Sequence, residues 1–136
     1  MWKRHAELFS AVIEEKAGEV EALLTRGEYV NARGIHGETP LFWAVKHGDM
    51  ATVKVLLEHG AEVNCQDKDG TSPLHVAAGK GWIEILELLL ANGARKDLKS
   101  NDGMSPLDFA VYERDRRIKI IAILANNEYH QINGEC

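Results

Sequence analysis

Three prolines, Pro40, Pro73 and Pro106, stand 33 residues apart, and their surroundings recur with them. Each follows a hydroxyl residue (Thr39, Ser72, Ser105) and precedes a leucine (Leu41, Leu74, Leu107). Ala44, Ala77 and Ala110 keep the same phase, as do Gly27, Gly60 and Gly93 at the far end of the unit. A fixed period of this length means a stack of small supersecondary units. A unit this small cannot bury its own apolar face, so its neighbour has to cover it.

Each unit has a physical logic. Thr39, Ser72 and Ser105 offer side-chain oxygens at a helix N-cap. The proline that follows sits at the first helical position, where its missing N–H costs nothing. PLHVAA then gives a short helix with alanines on one side, so that neighbours can approach closely. Gly48 and Gly81 break the chain before a second helix, and ATVKVLLEH and IEILELLLAN are apolar around much of their circumference. Such a helix must be covered on more than one side. Gly60 and Gly93 end it in the left-handed conformation that other residues disfavour. AEVNCQDKDG and ARKDLKSNDG return the chain through a turn-rich hairpin.

The ends depart from the pattern, as terminal units do. Leu8, Ala11, Val20, Leu23, Leu24 and Gly27 keep the phase, but Glu7 stands at the proline position and Glu15 where the interhelix glycine belongs. The last unit matches after one inserted residue in YERDRR. That sets Ile123-Leu124-Ala125-Asn126 against Leu89-Leu90-Ala91-Asn92, with Asn127 in place of the terminating glycine. The expectation is an all-α repeat solenoid in a single domain, residues 1–136, with four units at about 4–36, 37–69, 70–102 and 103–127 and a loose tail at 128–136. The outer two units act as caps.

TPLFWAVKHGD, SPLHVAAGKG and GAEVNCQDKDG resemble the ankyrin repeat. The resemblance runs from about Ala6 to Asn127 and is most specific in the two central units. It implies four stacked ankyrin repeats in an elongated, curved array, each a helix-turn-helix with a β-hairpin loop. Hairpin tips and first helices would line a concave face, with the second helices at the back. It also implies a role in binding another protein, as adaptor, scaffold or inhibitor. The family's histidine in PLH, which helps bond one hairpin to the next, survives only as His75; Phe42 and Asp108 stand in the flanking units. That puts part of the bonding between units in doubt. An alternative role comes from the same resemblance: a hairpin asparagine in the family can be hydroxylated by an asparaginyl oxygenase, and Asn64 and Asn31 match that position.

Composition narrows the function further. The formal charge of -5 argues against a general grip on nucleic acid, which needs a concentrated basic face. No apolar run approaches the roughly 20 residues of a membrane span, and MWKRHAELF does not read as a secretory signal. Two cysteines, Cys65 and Cys136, are too few for a disulfide framework, which suits a cytosolic or nuclear protein with reduced thiols. No cofactor is expected. AGKG at Ala78–Gly81 lacks the earlier glycine and the Ser/Thr of a phosphate loop, and QDKDGTSPL lacks the ligands that would complete a calcium loop. No HExxH, CxxC or GxSxG spacing occurs, so neither a metal site nor a catalytic nucleophile is expected, and the chain is read as a non-enzyme. The basic run RDRRIK at Arg114–Lys119 reads as a solvated cap face rather than a docking spot for an acidic partner.

Positions that vary while the glycines, prolines, leucines and alanines stay fixed are free to serve recognition. At the hairpin tips these are Arg33, Ile35, His36 and Glu38, then Gln66, Lys68, Asp69 and Thr71, then Lys99, Asn101, Asp102 and Met104. On the first helices they are Lys46, His47, Lys80, Tyr112 and Glu113. Ile35 and Met104 are the most suggestive, because apolar side chains at hairpin tips gain nothing from water. A partner protein is therefore expected on this face of a monomer, with no nucleic acid and no membrane. Trp43 reads as core filling in preference to partner contact. Trp82 is either an exposed anchor or a cover over the neighbouring interhelix turn, the second being favoured. Tyr29 could serve either purpose, and Trp2 is assigned to the N-terminal cap. The irregular ends favour a natural sequence over an engineered scaffold.

Overall fold

The computed structural model describes residues 5–112 and 119–125. Trp2, Glu113, Arg114, Asn127 and the tail lie outside the described residues, as do the contacts of the Tyr112 side chain. Seven helices are defined: α1 (Ala6–Ile13), α2 (Ala17–Thr25), α3 (Pro40–His47), α4 (Met50–Glu58), α5 (Pro73–Lys80), α6 (Ile83–Ala91) and α7 (Pro106–Tyr112). A further helical segment covers residues 119–125, and no strand occurs among the described residues.

The predicted starts form as chemistry requires. Thr39 accepts the Phe42 amide at 3.2 Å ahead of Pro40. Ser72 accepts the His75 amide at 3.3 Å, and His75 Nδ1 accepts the Ser72 amide at 3.2 Å, a reciprocal box. Ser105 and Asp108 make the same exchange, at 3.2 and 2.9 Å. Asp49, which the repeat pattern did not single out, caps α4 by accepting the Thr52 amide at 3.3 Å. Neither α1 nor α2 has a side-chain cap.

The helices form two layers. In one, α1, α3, α5 and α7 pack in order; in the other, α2 meets α4 as closely as α1 meets α3, and only α4 against α6 is sparse. Both layers contribute to one continuous core. Leu8, Val12 and Val20 begin it, Leu41, Val45 and Leu56 follow, and Leu74, Leu86 and Leu89 extend it toward Ile120 and Leu124. Ala44, Ala77 and Ala110 are wholly buried between first helices. Any larger side chain there would push the units apart. In the last unit, Leu124 is buried while Ile123 is half-exposed. Leu124 rather than Ile123 therefore takes the place of the buried Leu89, one residue beyond the expected alignment.

The interhelix turns confirm one sequence reading and sharpen another. Gly48 takes a φ of 70° at the end of α3, and a Cβ there would lie 2.7 Å from the Trp82 ring. Trp82 thus covers the preceding unit's turn, as favoured, and stays 37% exposed. In the first unit Glu15 occupies the glycine position and adopts the left-handed conformation itself, with a φ of 59°. Among the described residues it is the one non-glycine to do so.

Two predictions follow from this geometry. Glu15→Gly relieves left-handed strain worth about 1–2 kcal/mol, partly offset by the entropy that glycine adds to the unfolded chain. A net gain of about 1 kcal/mol should raise Tm by roughly 2–4 °C in a melting experiment. The second concerns His75, which is fully buried. Its Nδ1 accepts from Ser72 and its Nε2–H donates to the Met104 carbonyl at 2.8 Å. Burial holds its pKa below the ordinary value of 6.5. The unfolded chain therefore binds that proton more readily. Stability is complete above the unfolded value and falls as pH drops below it, at up to about 1.4 kcal/mol per pH unit. Urea unfolding between pH 7.5 and 5.5 should show this loss in the wild type and a shallower slope in His75→Gln; equal slopes would refute it.

Candidate inner recognition face

Three hairpins join the units, and each closes on itself in the same way. Gly34 donates to the Glu38 carbonyl at 2.7 Å, Asp67 to Thr71 at 3.1 Å and Ser100 to Met104 at 2.8 Å. Successive tips are then clipped together. The Lys68 amide donates to the His36 carbonyl at 3.0 Å, and the Asn101 amide to Asp69 at 2.9 Å. The tips stack closely: a Cβ on Gly70, whose φ is 78°, would lie 2.8 Å from the Asn101 amide.

Side chains add a second set of clips. Arg33 reaches the Gly37 carbonyl at 3.2 Å and, in the next hairpin, the Gln66 carbonyl at 2.8 Å. One repeat on, Gln66 reaches Gly70 at 2.8 Å and Lys99 at 3.0 Å. The Asn101 amide group donates to Lys68 at 2.7 Å. Asn31 accepts the Glu62 amide at 2.8 Å and donates to Gly60 at 3.4 Å. Asn64 does the same one unit later, with Arg95 at 2.8 Å and Gly93 at 3.1 Å. These contacts supply bonding between units that Phe42 cannot. Asp108 is confined to capping α7, and its bonds with Ser105 hold its carboxyl below the usual range.

The candidate recognition residues therefore divide. Ile35 is 77% exposed, and His36, Lys46, Lys68, Asp69, Lys80, Lys99 and Asp102 are also exposed. Arg33, Gln66 and Asn101 are structural clips as well as surface. His47 and Thr71 are half-buried. Two placements differ from expectation. Glu38 is only 8% exposed, because the bare backbone of Gly34 lets its carboxylate fold inward. Met104 is half-buried, and its carbonyl is fixed by His75.

The exposed tip of the first hairpin borders an open groove of about 870 Å³. Phe9 and Ile13 of α1, Trp43 of α3, and Arg33, Ile35 and Glu38 of the hairpin line it. Ile13 is half-exposed at the end of α1. Trp43 packs against the core, as expected, and also lends a face to this groove. Lys46 Nζ lies over the Trp43 ring, 4.9 Å from its centroid, and the His47 ring lies 6.0 Å away, tilted to it. Phe9 and Ile13 escaped the sequence reading because they lie on the first unit, where the repeat phase is weakest. Their spacing of four residues on one helix face was the available signal.

The remaining polar groups offer no catalytic constellation. The Cys65 thiol is pushed up by burial, against the opposing pull of Arg33, and so stays protonated. No group of three or more metal-ligating side chains occurs among the described residues. No helix among them is long and apolar enough to cross a membrane. A family model described as Ankyrin repeats (3 copies) matches residues 7–67 and 51–135. A search of curated proteins gives no match.

The clips give a direct test. Asn64→Ala strips partners from the Arg95 amide and the Gly93 carbonyl and should cost about 1–3 kcal/mol. Asn92→Ala removes only a bond to its own helix, at Leu88, and should cost less than about 1 kcal/mol. Urea midpoints of the two variants decide it.

Proposed function

The chain belongs to the ankyrin repeat family, and on that premise we propose that it binds a partner protein through the hairpin tips and first helices of its inner face. Repeats of this family are generally protein–protein interaction modules and typically not enzymes. The observation that carries the reading is Ile35, a β-branched apolar side chain left 77% exposed beside the groove lined by Phe9, Ile13 and Trp43. An apolar patch of this kind, rimmed by polar groups, marks an interaction site. Its mechanism is pre-organisation. Clips between tips fix the backbone before the partner arrives, so little conformational entropy is lost on docking. The adaptor, scaffold and inhibitor roles share this surface.

Hydroxylation of Asn64 or Asn31 is the alternative. Both amides are engaged with the next unit through donor and acceptor. An oxygenase would have to open the hairpin first, so docking on the folded surface is the better supported reading.

In capture from cell lysate, Ile35→Asp should reduce partner recovery at least tenfold while leaving Tm within about 2 °C, as exposed substitutions do. Met104→Asp should instead lower Tm, since that side chain is half-buried. Undiminished recovery with Ile35→Asp would move the binding site elsewhere.

A further inference from the structure

Equivalent positions in the three hairpins are Gly34, Asp67 and Ser100. In the second and third, that side chain closes the loop. Asp67 accepts the amides of Asp69 at 2.9 Å and Thr71 at 3.0 Å, and Ser100 accepts that of Met104 at 3.2 Å. The first hairpin has no such side chain. Glu38, in the place of Thr71 and Met104, folds its carboxylate back over Gly34, where a Cβ would collide with Oε1. The residue is more than nine-tenths buried.

That carboxylate has no hydrogen-bond donor and no cation within ion-pair distance among the described residues. Arg33 lines the same groove, but its guanidinium is taken by the carbonyls of Gly37 and Gln66 and by Cys65 Sγ at 2.8 Å. Glu14, on the opposite rim, is paired with Lys16 at 3.0 Å. Lys46 sits over the Trp43 ring, exposed to solvent. A carboxylate with no cation of its own, facing an open groove lined by Phe9, Ile13, Ile35 and Trp43, is left for a cation that an incoming chain brings.

We propose that this groove receives an arginine or lysine side chain of the partner protein, flanked by apolar residues. The inference rests on the reading of the inner face as a protein-docking surface and adds the chemistry of its occupant. The aliphatic stem of the incoming residue would lie along Phe9, Ile13 and Trp43 while its head meets Glu38. Arginine fits best, because its planar fork offers two N–H groups to the two carboxylate oxygens. The groove, at about 870 Å³, is larger than one side chain, which leaves room for apolar neighbours on either side. Ile35 at the rim is placed to cover one of them.

The test uses random peptides displayed on phage, panned against the whole chain, with the best binders synthesised. Affinities are measured for the wild type and Glu38→Gln, each against the peptide and its copy with arginine replaced by citrulline or lysine by norleucine. Enriched peptides should share a cation beside apolar residues. Removing the cation should weaken wild-type binding at least tenfold, and Glu38→Gln should do likewise. Removing both should cost little more than removing either, the mark of a direct pair. The cation swap is also read on the wild type alone, so the result does not depend on how the variant folds. Binders without a cation, or binders indifferent to Glu38→Gln, overturn the proposal. If such binders still fail against Ile35→Asp, the docking surface stands and only the cation is lost. If panning yields no binder, both readings fall.

Discussion

No unit of this protein can cover its own apolar face, and everything else follows from that. Ala44, Ala77 and Ala110 are fully buried because the first helices must come close enough to shield one another. Among the second helices, α2 meets α4 as closely as α1 meets α3, while α4 meets α6 more sparsely than α3 meets α5. The groove beside the first hairpin is framed by α1, α3 and a loop, three elements that separate covering requirements bring together.

Long-range order along the array does not depend on a continuous hydrophobic centre alone. Arg33 and Gln66, one repeat apart, each reach main-chain carbonyls of the following hairpin, and Asn31 and Asn64 grip the chain just past the following second helix. These bonds fix where each tip lies relative to the next. They also explain how the molecule tolerates having a single PLH histidine. His75 ties its own cap to Met104, while the flanking units rely on the tips.

Much of this was legible in the residues. The period gave the helix pairs, the hydroxyl-proline starts and the left-handed glycines, because those are local requirements that recur wherever the backbone recurs. Trp82 was readable as a cover since it falls one period beyond a tight turn. What the sequence concealed was long-range or exceptional. The inward fold of Glu38 depends on the missing side chain at Gly34 as much as on Glu38 itself. The clips of Arg33 and Gln66 join residues whose types differ, so repetition did not flag them. Phe9 and Ile13 sat in the unit where the pattern fades, and the last unit's register slipped at an insertion whose length the motif did not fix.

Most of the fastenings between tips end on a carbonyl oxygen of the recipient residue, at His36, Gln66, Lys68, Asp69 and Lys99. Every amino acid carries that oxygen. Substituting the side chains of His36, Lys68, Asp69 and Lys99 leaves these fastenings untouched, whereas Gln66 is itself the donor to Lys99 and has to stay. The outward chemistry of the loops can therefore drift, or be rewritten deliberately, while the mortar between the courses keeps its grip.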